Sequence, residues 1–460
     1  MKDFNKITLN IDSTILQAMK KINLNSLGCV FVEDNNKILG VLTDGDLRRA
    51  IIKKNKTNEN IKKYVNYDFY KLYEGYQNEN ILKIFDLGIR IVPILNNKNQ
   101  LVNFINRKDF FKYEFLKDQL KDVQIRSRAP SRISFGGGGS DVTSYYKDNE
   151  ACIFNTSINL YCNVFLEIKA SKKIIIDSQD LEKVYEFSSF SKLVNDDSES
   201  LALIRNIIKE VKPDYGFNMT IRSDFPIGSG LGGSSTVVVA ILGAFNEIRA
   251  NKWSKYEVAE LAFKIERLVM NIKGGWQDQY ASSIGGFNFM TFRSDKNTVD
   301  CLRFDENTLA DLNDSMILCN SGMDHKSNDL HVELKEESKN ETTINKIKEN
   351  VELTKKAKNA LTEYKIEEFG RILNEAWLLK KKFSKSVTNK SLDKIYNIGM
   401  DAGAYGAKLL GAGGGGFFLF VVPPLKRKLI ESALKKHNLE VCNFSFDNKG
   451  LVTWRRRINE

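Results

Sequence analysis

The chain is short of the residues that build metal centres and disulfide frames. Among its 460 residues there are three histidines and six cysteines. The cysteines (Cys29, Cys152, Cys162, Cys301, Cys319 and Cys442) are scattered, with no C-x-x-C pair. That spacing argues against a zinc site and a disulfide framework and fits reduced thiols. No apolar run approaches about 20 residues, so no transmembrane helix and no membrane partner are expected. Met1-Lys2-Asp3-Phe4-Asn5-Lys6 opens no signal-peptide pattern, and a cytoplasmic location is the expectation. Also missing is a basic block interleaved with aromatics. The net charge of +11 therefore does not predict a nucleic-acid partner. Lysines spread along the whole chain read as a solvated surface with some attraction for anionic small molecules. What is present is ordinary for a soluble protein: 42% hydrophobic and 28% charged residues, enough for two or three domains with real cores.

The most informative stretch is Pro226-Ile227-Gly228-Ser229-Gly230-Leu231-Gly232-Gly233-Ser234-Ser235-Thr236. An alternating strand pattern at 217–222 precedes it and a buried-helix pattern at 237–245 follows. A glycine-rich turn at a helix start offers backbone N–H groups and the positive end of the helix dipole to an anion. Gly228, Gly230 and Gly233 match the dinucleotide fingerprint. However, Glu247 and Glu260 fall within helical patterns rather than closing a following strand, which argues against a Rossmann unit. Ser234 stands where a Walker loop carries lysine, which excludes that site. A phosphate cradle with hydroxyls able to hold magnesium remains, against the plainer reading of a tight helix-entry turn.

Residues 1–120 carry an internal repeat of helix, strand, Asn-Asn-Lys turn, strand and helix. One copy centres on 30–49 and the other on 91–110. Gly40-Val41-Leu42-Thr43-Asp44-Gly45-Asp46 resembles the G-x-x-T-x-x-D signature of tandem CBS modules. The resemblance implies an adenosine-nucleotide site using Thr43 and Asp46, with homodimerisation through the pair as a further expectation. In the second copy Asn103 and Asn106 replace the Gly and Thr, while Asp109 stays. A purely structural pair is the alternative.

After a charged hinge at 113–122, a strand pattern runs into Gly136-Gly137-Gly138-Gly139-Ser140-Asp141, where the glycines leave room against the backbone. Ser254-Lys255-Tyr256-Glu257 is a capping box opening a helix expected to reach about Ile272. Glu266 has apolar neighbours at i±3 and i±4, so it needs a cation or a donor; metal and arginine are both open. Asp278 lies between turn glycines and an apolar strand, as a residue at a site mouth or in an Asx-turn does. A third glycine turn, 411–416, feeds the strand pattern Phe417-Phe418-Leu419-Phe420.

Three glycine loops in this order resemble the GHMP small-molecule kinases, over roughly residues 123–460. Ala129-Pro130-Ser131-Arg132 is similar to that family's first motif, 226–236 to its phosphate loop and 408–416 to its third motif. The resemblance implies an α+β fold: a CBS pair at 1–120, then a two-lobed kinase with an ATP-binding lobe at 123–305 and a C-terminal lobe at 306–460. ATP would lie on Gly228, Ser229, Gly230, Leu231, Gly232, Gly233, Ser234 and Ser235, with Mg2+ on Ser235 and Glu266. Asp278 would be the catalytic base paired with Arg132. Gly137, Gly138, Asp141, Gly413 and Gly414 would meet the substrate. The motifs are nearest to the heptose-phosphate branch, implying phosphorylation of the anomeric hydroxyl of D-glycero-D-manno-heptose 7-phosphate to the 1,7-bisphosphate. Two alternatives remain: an anomeric kinase for a free sugar such as fucose, and a non-catalytic nucleotide-sensing module. Gly322-Met323-Asp324-His325 departs from the branch's Gly-x-Thr/Ser-Arg. Lys273 and Lys408 are the candidates for a substrate phosphate, by nearness to the loops.

Overall fold

In a computed structural model, residues 4–53, 56–107, 123–323 and 341–457 are described. Asp109, the 113–122 hinge, Asp324, His325 and residues 335–340 lie outside the described residues. The chain divides into two compact units, Met1–Lys112 and Tyr113–Glu460.

The first unit realises its repeat strand by strand. Apolar alternation makes β1 (Thr8–Asn10), β2 (Cys29–Asp34) and β3 (Lys37–Thr43), ordered β1-β2-β3, with β1–β2 parallel and β2–β3 antiparallel. The second copy repeats this with β4 (Leu72–Tyr73), β5 (Ile91–Leu95) and β6 (Leu101–Asn106). One face of the first sheet packs on helices of its own copy, burying Ile15, Val30, Val32, Leu42 and Leu47; its other face packs on the second copy. Ile7, Cys29, Phe31 and Ile38 of the first copy bury together with Ile91 and Leu95 of the second. Phe31 meets Phe104 edge-on at 6.3 Å. Thr43 and Asp46 cap the helix Asp44–Ile52. The Asp46 carboxylate accepts from the Thr43 N–H (2.9 Å) and hydroxyl (2.6 Å), and Thr43 Oγ1 accepts from the Asp46 N–H. The two side chains expected at a ribose are thus engaged with each other as a cap.

In the second unit an eight-stranded sheet is built around β8 (Ala151–Lys169). Its first eight residues are all buried and its later ones alternate, the marks of a strand covered on both faces and then on one. One edge of β8 pairs with β7 (Val123–Gly136). The other pairs with β12 (Phe287–Phe292) and, further along, with β11 (Gly216–Ser223). β9 (Ile174–Ser178) and β10 (Lys183–Phe187) extend the β11 side, β13 (Asn297–Leu302) the β12 side, and β18 (Val452–Arg457) pairs with β7. A four-stranded sheet, ordered β15-β16-β14-β17, consists of β14 (Met316–Asn320), β15 (Gly406–Leu409), β16 (Phe417–Val421) and β17 (Glu440–Cys442). Its face is buried with Trp377, Leu392, Ile395 and Ile430.

The helix Gly233–Asn246 is apolar nearly all round and buried over almost its whole length, as a helix must be when sheet and helices enclose it. Ser254 accepts from the Glu257 N–H, and Glu257 accepts from the Ser254 N–H at 2.8 Å, closing the capping box. Ser254→Ala should cost about 1 kcal/mol, read as a lower urea midpoint of the kinase unit with an unchanged slope. Past this cap the observed helix differs from expectation. Regular α-helix ends at Phe263, and Lys264–Val269 is a π-helix, with Met270 N–H reaching Ile265 O (3.0 Å). Glu266 lies in this segment and is 1% exposed.

Candidate active site

β7 delivers Arg132 to the interior, 4% exposed, and the helix Gln277–Ile284 delivers Asp278 in its first turn. The two meet in a two-point ion pair, Nε–Oδ1 at 2.8 Å and Nη2–Oδ2 at 2.9 Å. A forked guanidinium facing a carboxylate this way fixes both groups in orientation as well as in charge. The first turn of that helix is set by Trp276, buried between Phe263 (ring centroids 3.6 Å apart, 10° between planes) and Tyr280. Arg132 also reaches the phosphate loop: its Nη1 donates to Gly230 O at 2.6 Å and its N–H to Leu231 O at 3.0 Å.

The loop takes its shape from alternate glycines. Gly228, Gly230 and Gly232 have φ of 76°, 75° and 76°, a left-handed conformation that side chains disfavour. A Cβ on Gly232 would lie 3.3 Å from the Asp278 carboxyl carbon and 3.4 Å from the Arg132 guanidinium. The loop therefore lies in van der Waals contact with the ion pair. Ser229 and Leu231 are buried, while Gly233, Ser234 and Ser235 begin the long apolar helix.

Those two serines face Glu266. Ser234 Oγ donates to Glu266 Oε1 at 2.7 Å and Ser235 Oγ to Oε2 at 2.6 Å. Gln279, one residue after Asp278 and fully buried, donates its amide to Glu266 Oε2 (2.5 Å) and Ser235 Oγ (3.1 Å). The nearest cation to this carboxylate is Arg267, with Nη1 4.0 Å from Oε1. Gln279 Oε1 is buried without a hydrogen-bond partner. Two hydroxyls and a carboxylate form an all-oxygen set of the kind Mg2+ prefers, with room in its shell for waters and substrate phosphates. These residues fit a magnesium ion. Gln279 lies in the stretch Gln277-Asp278-Gln279-Tyr280-Ala281, but nothing in the sequence assigns it a role at the site.

The third glycine turn closes on the phosphate loop backbone to backbone. Phe417 N–H donates to Ser229 O at 3.1 Å, and a Cβ on Gly416 would stand 2.4 Å from that oxygen. Gly411 abuts Gly230. Gly414 N–H donates to Val387 O at 2.9 Å, and Gly413 has φ of 129°. Lys408 is buried, its amine donating to the carbonyls of Ser134 and Phe135 at 2.8 and 3.0 Å, so it braces the two strands that carry the first and third loops. Lys273 donates to Asn271 Oδ1 on an exposed turn.

In the first loop, a Cβ on Gly137 would meet Cys152 O at 1.9 Å, whereas one on Gly138 would meet nothing within 4 Å. Gly137 is packed and Gly138 is open. Asp141, 3% exposed, accepts from the Gln277 N–H at 3.0 Å. Burial raises its carboxyl above the usual range, the Gln277 bond opposes this, and the Asp278 charge adds to it. The fold thus gathers Arg132, Asp141, Gly230, Gly232, Ser234, Ser235, Glu266 and Asp278 into one constellation. Thr43 and Asp46 belong to the other unit.

The comparisons match this geometry. The model of the GHMP kinases N-terminal domain matches residues 201–286, that of the GHMP kinases C-terminal domain matches 357–439, and that of the CBS domain matches 1–53. A D-glycero-alpha-D-manno-heptose 7-phosphate kinase of Campylobacter jejuni is 35% identical over 335 residues, covering 72% of this chain and 99% of that protein. A bifunctional fucokinase/GDP-fucose pyrophosphorylase of Arabidopsis thaliana is 26% identical over 341 residues, 69% of this chain and 32% of that protein. The crystal structure of a D-glycero-D-manno-heptose 1-phosphate kinase from Bacteroides thetaiotaomicron superposes with a TM-score of 0.61 at 33% identity, covering 72% of this chain and 98% of that one. The four-stranded and eight-stranded sheets, the three glycine turns between them and a 35% identical relative matched over nearly its whole length lead to one conclusion: this chain belongs to the GHMP kinases, as a sugar kinase with a CBS domain at its N-terminus.

Proposed function

We propose that the enzyme transfers the γ-phosphoryl group of ATP to the anomeric hydroxyl of D-glycero-D-manno-heptose 7-phosphate, giving the 1,7-bisphosphate. The observation that carries this reading is the Arg132–Asp278 pair, held at 2.8 and 2.9 Å against the glycines of the phosphate loop. The reaction type follows from that pair, and the choice of sugar from the 35% identical relative.

Phosphoryl transfer asks mainly for positioning and charge neutralisation. The N–H groups of residues 228–235 and the start of the helix Gly233–Asn246 hold the phosphates of ATP. Ser235 and Glu266 would hold Mg2+, which would supply positive charge to the phosphate oxygens, and Gln279 fixes the Glu266 carboxylate through its amide hydrogen bond. Asp278 accepts the proton of the anomeric hydroxyl as its oxygen bonds to the γ-phosphorus and ADP departs. Arg132 orients Asp278 and faces the phosphoryl group being transferred. Asp141, Gly137 and Gly138 on one side and Gly413 and Gly414 on the other border the sugar. The CBS pair is read as an adenosine-nucleotide module that also joins two chains, which titration of AMP and ATP against the isotopically labelled protein would test at Thr43 and Asp46.

Coupled ADP release with ATP and Mg2+ tests the substrate. Turnover strictly dependent on the heptose 7-phosphate is the expected result. Turnover with fucose alone would keep the catalytic residues and retire the heptose.

A further inference from the structure

The cations around the kinase site are engaged to different degrees. Arg132 is matched by Asp278. Lys380, at the end of the helix Ile366–Lys380, donates to Gly411 O, and Lys408 donates to the carbonyls of Ser134 and Phe135. Arg267, from the π-helical segment, has a side chain that is 8% exposed. Its Nε and Nη2 share one acceptor, Gly275 O, at 3.3 and 3.2 Å. Its Nη1 stands 4.0 Å from Glu266 Oε1, too far for a hydrogen bond, and that oxygen already accepts from Ser234 at 2.7 Å. A guanidinium carries five N–H donors. Among the described residues, one shared carbonyl is the acceptor they find, and a cation so far withdrawn from water needs more than that.

Two glycines make room for this arrangement. A Cβ on Gly274 would stand 2.7 Å from Arg267 Nη2 and 2.9 Å from its Cζ, and one on Gly275 would stand 2.0 Å from Asp141 Oδ2. The guanidinium and the Asp141 carboxylate therefore lie against consecutive Cα atoms, about 3.8 Å apart. Arg267 and Asp278 are both close enough to act on the Asp141 charge. One guanidinium thus stands beside two carboxylates that face different parts of the site. Glu266 meets the serines that follow the phosphate loop, and Asp141 accepts the N–H of Gln277, the residue before Asp278.

We propose that Arg267 is a further catalytic residue, whose free donors face the γ-phosphoryl group as it passes from ATP to the sugar. The proposal rests on the reading of residues 228–235 as the ATP site and of Asp141 as a border of the sugar. The γ-phosphoryl group is what travels from the nucleotide side, at Ser234, Ser235 and Glu266, to the sugar side, at Asp141 and Asp278. A fixed donor beside both sides acts where charge spreads over the phosphoryl oxygens during transfer. The bond from the γ-phosphorus to the ADP oxygen breaks as the bond to the sugar oxygen forms, and the hydroxyl proton goes to Asp278. Arg267 stays protonated throughout, as a guanidinium does at any working pH.

The experiment compares two nucleotides by calorimetry on the full chain: MgADP, and the magnesium complex of a non-hydrolysable ATP analogue that keeps the γ-phosphate. In Arg267→Met the analogue should bind at least about tenfold more weakly, while MgADP binds as in the wild type. Steady-state kcat should fall about 10²–10³-fold, the span for one preorganised donor aimed at developing charge. Arg267→Lys keeps the charge without the fork and should show the same selective loss, only smaller. Where Arg267→Met does not fold, Arg267→Lys decides by the same comparison. Equal weakening of both nucleotides, as loss of a mere loop brace would give, would overturn the proposal, and so would unchanged affinity for both. A raised KM for the sugar phosphate with analogue affinity intact would also overturn it, assigning the guanidinium to the substrate's own phosphate. Wild-type protein that binds neither nucleotide would remove the ATP-site reading together with this proposal.

Discussion

Asp278→Asn should lower kcat by about 10²–10⁴-fold, the span a positioned general base contributes, while MgADP still binds. Asparagine keeps the shape and one acceptor oxygen, but it cannot take a proton from the sugar hydroxyl. It also strips Arg132 of its partner. That guanidinium is buried and held at two points by the carboxylate, and removing one side of a buried pair costs up to about 3–5 kcal/mol. The variant should therefore unfold at lower urea and turn over slowly even where it is fully folded. Steady-state rates at a temperature where circular dichroism shows native structure separate the two effects. Full activity in a folded Asp278→Asn protein would remove Asp278 from the base role.

The second large effect is expected from a residue that touches no substrate. Gly416→Ala places a methyl group 2.4 Å from Ser229 O and 2.7 Å from Ser229 C, at a φ of 94°. The conformational strain and the overlap should together cost about 3 kcal/mol or more. The overlap is with backbone, which cannot rotate away as a side chain would. Relief requires the phosphate loop to move off the third loop, and Gly230 with it. Affinity for MgADP should fall at least about tenfold, the equivalent of about 1.4 kcal/mol, measured by fluorescence titration. Gly138→Ala, which meets nothing within 4 Å, is the control and should leave nucleotide affinity and stability unchanged.

Much of this site was legible because its chemistry is written in small residues. Glycines at 228, 230 and 232 are where a left-handed backbone is needed, and the structure uses them so. Arg132, Glu266 and Asp278 could be singled out because a charge beside a glycine turn or on an apolar helix face needs a reason. Other features left no mark. A lysine closing a helix reads as a solvated C-terminal charge, and only the fold turns Lys380 back onto Gly411. The π-helical segment has no periodicity to separate it from the preceding α-helix, so the change of helix type at Lys264 was visible only in the structure. Thr43 and Asp46 were legible as a pair, yet the same two side chains make a helix cap, and residue identity does not distinguish the two uses.

The pairing of β18 with β7 bears on how the kinase unit is made. Val123 and Arg457 stand opposite each other in that ladder, though more than three hundred residues separate them along the chain. β7 carries Arg132, so the strand that supplies the site's arginine gains its outer neighbour only when almost the whole unit has left the ribosome. Until then its edge is open to any other strand, and closing so long a loop is slow. Joining the two ends with a short linker and opening the chain elsewhere on the surface would let the neighbours emerge together. Such a circular permutant should refold faster and aggregate less during synthesis than the natural order.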